Sequence, residues 1–289
     1  MLINEPLSYR LALPARYPEA SAALVLDSPH SGTTYPPDFA SSAPFAALRT
    51  AEDTWVDDLW SDAIDMGVPL IAAAFPRAYI DANRSLEEID QQLLDQPWPE
   101  PVPDSPKVKL GKGLIWRMLD DGTPLYDRKL SLDEVRHRID ACWKPYHAQV
   151  ARLIDQAHTR HGKVWHINCH SMPSVAGAYA TDKPGLVHPD FVLGDRDGST
   201  SDPAFREFVA EWLRKRGYGV SVNDPYKGVE LVRAFGRPAD GRHSLQIEIN
   251  RKLYMDEATL RPSAGYSTLK ADLRDLTAAL LDWTRPQTA

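Results

Sequence analysis

The run Val164-Trp165-His166-Ile167-Asn168-Cys169-His170-Ser171 decides how the rest of the chain reads. Gly162 breaks the chain just ahead of it, and the run is apolar and rich in β-formers. That is the pattern of a buried strand in an α/β sheet. Side chains alternate along a strand, so His166, Asn168 and His170 share one face, while Trp165, Ile167 and Cys169 share the other. The polar face closes on histidine and serine, followed at once by Met172-Pro173. Ligands of open α/β sheets sit at the carboxyl ends of strands, and His170 occupies such an end. A lone strand-end histidine is more often a hydrogen-bonded packing residue. Here a second stretch of the same design favours function.

That second stretch is Ala22 to Asp27 (AALVLD), which reads as the first buried strand and runs straight into Ser28-Pro29-His30-Ser31-Gly32. Beyond it, Val56, Leu59, Trp60, Ala63 and Ile64 are spaced as an amphipathic helix that ends at Gly67. Asp53 or Thr54 is placed to cap that helix. Pro69 to Phe75 reads as another strand and Tyr79 to Arg84 as an extended segment. Pro97, Pro99, Pro101, Pro103 and Pro106 then enforce an extended excursion over about 94–112, and long loops in compact domains tend to be lids or binding loops.

Leu132 to Arg160 carries the longest helical pattern, interrupted at Pro145, where a kink is expected. His147, His158 and His161 on or near it read as surface or packing residues. Strands follow at Phe191 to Gly194, Tyr218 to Val222 and Ser244 to Ile249, with helices opened by Asp202-Pro203 and running from about Thr268 to Trp283. Strands alternating with helices imply a mixed, mainly parallel sheet covered on both faces, an α/β domain spanning residues 1–289.

The 289 residues are 43% hydrophobic and 25% charged, an ordinary globular composition. A net charge of −7 and a pI near 5.7 argue against nucleic-acid or anionic-membrane partners. Residues 1–20 lack the apolar core of a signal peptide. No apolar run approaches the roughly 20 residues of a membrane span. Cys142 and Cys169 make neither a disulfide framework nor a zinc pair. The expectation is a soluble, cytoplasmic chain acting on a small molecule.

Two strand-end histidines and a carboxylate would make a three-ligand metal site with one position left open for water, the arrangement of catalytic zinc. Asp53 is the first choice of carboxylate, although an Asp at a helix start is more often a cap; Glu52 is the alternative. The spacing of His30, Asp53 and His170 is not diagnostic by itself. A metal hydrolase also needs a base. Ser244, Gln246, Glu248 and Asn250 share one strand face, and a glutamate within a buried strand is costly unless paired or working.

Seven runs then fall into one pattern: Ser-Pro-His-Ser-Gly (28–32), Asp-x-x-Val-Asp (53–57), Asp-x-Asn-Arg (81–84), Gly-Leu-Ile-Trp-Arg (113–117), Cys-His-Ser-Met-Pro (169–173), the stretch from Tyr226-Lys227-Gly228 to Gly236-Arg237-Pro238, and Leu-Gln-Ile-Glu-Ile-Asn (245–250). In this order, over nearly the whole chain, they resemble the N-formylglutamate amidohydrolase family, relatives of the zinc carboxypeptidases and aspartoacylases. The resemblance implies a zinc-carboxypeptidase-like three-layer α/β/α fold. It implies a divalent metal, zinc, held by His30, Asp53 and His170, with Glu248 as general base. The implied reaction is hydrolysis of an N-acyl acidic amino acid, N-formyl-L-glutamate first, in histidine breakdown.

Asn83-Arg84 is similar to the pair with which the carboxypeptidases hold a substrate carboxylate. Without the resemblance, Arg84 would read as a surface arginine paired with Glu87 or Glu88. Arg117 and Arg233 are the candidates for the oxyanion or the side-chain carboxylate. The chain departs from the family at Asn168, where many relatives carry Asp. That position shares a face with His170 and is expected to partner the metal ligand from behind. Rival readings are a related metal-dependent deacylase or carboxypeptidase of another substrate, a thiol amidase built on Cys169, and a non-catalytic binding protein. Strand alternation turns Cys169 away from His170, and a bare binder has no use for Glu248.

Overall fold

In the computed structural model, which describes residues 8–19, 21–180 and 183–285, seven strands build the main sheet. The first seven residues of the stretch read for a leader lie outside the described residues. The strands are β1 (Tyr9–Ala12), β2 (Leu24–Ser28), β3 (Leu70–Ala73), β4 (Val164–Met172), β5 (Phe191–Gly194), β6 (Val220–Val222) and β7 (Arg242–Asn250). Their order is β1-β3-β2-β4-β7-β5-β6. The block β3-β2-β4-β7 is parallel, while β1 joins β3 and β5 joins β7 antiparallel, so the sheet is mixed and mainly parallel as expected. Every residue of β4 is buried, as its place between two parallel neighbours in a sheet covered on both faces requires.

The helices are α1 (Phe45–Arg49), α2 (Val56–Leu59), α3 (Pro106–Lys109), α4 (Leu132–Arg138), α5 (Lys144–His161), α6 (Pro203–Lys215), α7 (Glu230–Phe235) and α8 (Tyr266–Thr284). One core packs Val25, Ile71 and Ala73 of the sheet against α4, α5 and the segment 78–130. The other packs Leu26, Ile167, Cys169, Leu245, Ile247 and Ile249 against α2, α6 and α8. The result is a three-layer α/β/α arrangement. Among the described residues no helix is long and apolar enough to cross a membrane.

Helix ends follow local chemistry. Ser131 and Glu134 close a reciprocal capping box on α4. Asp202 accepts from Ala204 N ahead of Pro203 to start α6. Before Pro145 the chain widens into a π-turn over Ile139–Trp143, because proline offers no N–H to the preceding turn.

Two expectations differ from what forms. The helix expected from Val56 to its end at Gly67 is the short α2 followed by a 3₁₀ segment, Ser61–Met66, entered through Trp55 at φ 70° with no side-chain cap and closed at Gly67. Asp53 and Thr54 therefore do not cap it. Tyr79 to Arg84 is a turn rather than an extended segment, because the Asp81 carboxylate accepts from Asn83 N at 2.9 Å and its carbonyl accepts from Arg84 N.

Two packing histidines give the fold a pH dependence. His147 stacks on Trp143 at 3.6 Å and donates to Ala82 O; His243 stacks on Trp165 at 3.9 Å and accepts from Asp202 N. Burial pushes both down from 6.5 to about 4. The folded pKa lies below the unfolded one, so between those values the unfolded chain binds the extra protons and stability is lost as pH falls. Between pH 7 and pH 5 urea unfolding is expected to lose about 1–2 kcal/mol through His147 and less through His243, and His147→Gln to flatten that dependence. Equal stability at the two pH values would contradict the assignment.

Candidate active site

The carboxyl ends of β2, β4 and β7 bring their polar faces together. His30 follows β2 through the Ser28-Pro29 turn, where the Ser28 and Ser31 hydroxyls bond at 2.6 Å. Gly32 is required because a Cβ there would stand 2.0 Å from Phe75 O. Asp53 is clipped to the same loop: its N–H donates to His30 O, and Ser31 Oγ donates to its carbonyl. With Trp55 left-handed, the Asp53 side chain turns inward and is fully buried. On the sheet, His170 is registered beside Glu248, and Asn168 beside Gln246.

Ligand-capable atoms of His30, Asp53 and His170 all lie within 4.8 Å of one another. Asp53 Oδ2 is 3.4 Å from His30 Nδ1 and 3.1 Å from His170 Nδ1. The outer nitrogens are tied off: His30 Nε2 donates to Asp81 Oδ1 and His170 Nε2 to Asn168 Oδ1, each at 2.7 Å. The Asn168 amide is itself oriented, because its Nδ2 donates to Asp27 Oδ1 at 2.8 Å and its oxygen must then face His170. With the outer nitrogens carrying an N–H, both Nδ1 atoms face the Asp53 carboxylate. Acceptors that close need a proton or a cation between them, and His30 Nδ1 makes no hydrogen bond. The donor set of two imidazoles and one carboxylate fits a divalent metal with an open position. This group could hold a metal ion.

Glu52, the alternative carboxylate, is committed elsewhere, to Arg49 at 3.0 Å and the Tyr35 hydroxyl at 2.7 Å. Burial would lift the Asp53 carboxyl. Contacts with both imidazoles and the Arg77 charge instead hold it well below the usual carboxylate range. Asp81 is likewise held well down, against burial, by His30, Arg77 and Arg84. Glu248 goes the other way: burial and the Asp53 charge raise it above the usual range. Gln246 Nε2 donates to Glu248 Oε1 at 2.8 Å.

A cleft of about 290 Å³ opens over these groups, with His30, His170, Glu248, Asn83 and Arg84 in its lining. Arg84 does not pair with Glu87 or Glu88. Its Nε donates to Lys112 O and its Nη1 to Asn83 O, both at 2.9 Å. Asn83 accepts from Leu231 N with its oxygen, and its Nδ2 lies 3.1 Å from His170 Nε2.

The N-formylglutamate amidohydrolase family model matches residues 22–255. The chain belongs to that family. N-formylglutamate deformylase of Pseudomonas aeruginosa is 27% identical over 277 residues, covering 92% of this chain and 95% of its own. The deformylase of Pseudomonas putida is 28% identical over 269 residues, covering 90% and 92%. The crystal structure of N-formylglutamate amidohydrolase from Ralstonia eutropha is 47% identical with a TM-score of 0.91, over 96% of this chain and 99% of that one. By family, then, the chain is an amidohydrolase.

Not every residue that the family resemblance nominated reaches the cleft. Arg117 donates to Asp90 at 2.7 Å, and the half-exposed Arg233 makes two bonds to Glu230 at 2.8 Å, a close (i, i+3) pair; neither lines the cleft. The arginines that do are Arg77, Arg84 and Arg251. Arg77 lies 3.2 Å from Asp81, 3.6 Å from Asp53 and 4.7 Å over the Trp116 ring. Arg251 reaches Asp53 at 3.2 Å and Glu52 O at 2.7 Å. Arg77, Asp81 and Arg251 were missed in the sequence. Asp81 alone left a signal, as the first residue of the Asp-x-Asn-Arg run.

Cys169 is fully buried in the opposite core, and burial pushes its thiol well up. Burial pushes Cys142 to about 12. Neither offers a thiolate. Iodoacetamide at pH 8 is expected to leave both native thiols unmodified by mass spectrometry; rapid alkylation of Cys169 with loss of activity would revive the thiol amidase.

Proposed function

We propose that the chain hydrolyses N-formyl-L-glutamate to formate and L-glutamate, with a divalent metal, zinc, held by His30, Asp53 and His170. The observation that carries the reading is the buried trio of ligand atoms, outer nitrogens tied off, one strand away from the raised carboxyl of Glu248. Relatives named N-formylglutamate deformylase support the substrate.

A divalent cation there supplies Lewis acidity toward the formyl carbonyl and the attacking water. The chain's own groups do the rest. Glu248, with Oε1 held by Gln246, offers Oε2 to take a proton from the attacking water. It returns that proton to the amine nitrogen as the C–N bond breaks. Arg77, held by Asp81 and stacked on Trp116, presents the charge that faces the developing oxyanion. Arg84 receives the substrate's α-carboxylate on its Nη2 edge, which has no partner among the described residues, and Asn83 borders that position.

Purified protein is expected to carry about one divalent metal per chain, and a chelator to abolish formate release until metal is restored. Glu248→Gln should keep the metal and lower kcat by about 10²–10⁴-fold. Near-wild-type turnover in that variant would leave Glu248 with a structural role only. Asn168→Leu, which cannot accept from His170, should weaken metal binding by about 10–100-fold in chelator competition.

Arg84→Ala should lower kcat/KM by roughly 30- to 1000-fold, about 2–4 kcal/mol. The gap between N-formylglutamate and its α-amide should shrink in that variant. An unchanged gap would move the α-carboxylate to another residue.

A further inference from the structure

The proline-rich excursion ends in α3 and is seated firmly against the cleft. Ser105 Oγ donates to Glu88 Oε1 at 2.9 Å, Lys112 N donates to Lys107 O at 2.8 Å, and a Cβ on Gly113 would stand 2.5 Å from Glu88 O. This seating puts Lys107 and Lys112 in the lining beside Arg84.

Most lining cations already have an anion. Lys112 pairs with Asp120 at 2.5 Å and sits 4.2 Å over the Trp116 ring. Lys227 pairs with Asp197 at 2.8 Å, Arg77 with Asp81, and Arg251 with Asp53. Lys107 has no hydrogen bond or ion pair to its ammonium among the described residues. Glu88 is spent on Ser85 N and Ser105 Oγ. Burial and the neighbouring Arg84 and Arg77 charges push Lys107 down to about 7. Arg84 has only Asp81, at 4.0 Å and shared with Arg77, and Lys107 has no carboxylate partner among the described residues.

We propose that Lys107 binds the side-chain carboxylate of the substrate and so makes the cleft selective for N-formyl amino acids with an acidic side chain. This rests on the deformylase reading and adds the residue that recognises the side chain. A small molecule with two anionic ends needs two cationic stations in one cleft. Arg84 supplies the first. Lys107 is the remaining lining cation without a carboxylate of its own, and it comes from α3, the helical turn that ends the proline-rich excursion.

The test compares kcat/KM for N-formyl-L-glutamate and the isosteric, neutral N-formyl-L-glutamine, using full-length, metal-loaded protein. Lys107→Met is expected to lower the glutamate value by about 30-fold or more, mainly through KM, and the glutamine value by less than about threefold. Lys107→Arg should keep most of the preference, since it keeps the charge. A parallel fall on both substrates would reduce Lys107 to a support of the excursion, and no fall on either would remove it from the site. Metal content and circular dichroism check that Lys107→Met is folded; if it is not, Lys107→Gln carries the same comparison. Wild-type protein that hydrolyses neither substrate overturns the deformylase reading and this proposal together. Wild-type activity with an unchanged substrate ratio in the variants overturns this proposal alone.

Discussion

The site depends on keeping two carboxylates, Asp53 and Asp81, ionised without access to water. Burying a charge is tolerable only when it is paired and hydrogen-bonded. Here the pairing is shared. Arg77 reaches both acids, Arg251 secures Asp53, and the two imidazoles complete the ring. Trp116 adds an N–H to Asp81 at 3.1 Å. Runs far apart in the chain, at 28–32, 53–57, 81–84, 113–117 and 169–173, are thereby one electrostatic unit. Removing Arg77 would take the arginine partner that Asp53 and Asp81 share, and leave both acids less compensated in a dry interior.

Much of this was legible in the sequence, for a local reason. Strand alternation is a property of neighbouring residues, so the polar faces of β4 and β7 could be read directly. Parallel strands then had to deliver His30, His170 and Glu248 to the same edge. Asp53 could not be settled that way. Whether it capped a helix or turned inward depended on the left-handed backbone of Trp55, which nothing in the residue pattern announces. Arg77 and Arg251 lie just past strand ends, where no periodicity operates, and their partners are distant in the chain. Arg117 and Arg233 sit in conspicuous runs but are taken by nearby acids, Asp90 and Glu230. A helix pattern also overstated α2, since apolar spacing does not distinguish one helical turn followed by a 3₁₀ segment from a continuous α-helix.

Asn168 shows how a neutral amide can stand behind an imidazole of a group that could hold a metal ion. An amide alone could present either end to His170. The Asp27 carboxylate removes the choice, and is itself held by His166 and the Tyr146 hydroxyl, each at 2.8 Å. His166 in turn bonds Ser244 Oγ at 2.7 Å. The negative charge that a carboxylate at position 168 would place against the imidazole sits one residue deeper, and the chain of bonds carries its orientation outward. The floor of the cleft is therefore built from strands, with little freedom to shift, while the cationic wall comes from loops.

With the proposed substrate, that cationic wall would bear on turnover as well as recognition. The molecule carries a net charge of −7, yet Arg77, Arg84 and Lys107 crowd one side of the cleft. The proposed substrate enters with a neutral formamide nitrogen. Cleavage converts that nitrogen into an ammonium, a new positive charge created among positive charges. Like charges repel across a partly desolvated cleft, so the reaction itself weakens the grip on what it has made. The amino acid should leave more readily than its acylated precursor did, a difference that an inhibition constant for L-glutamate well above the substrate KM would register.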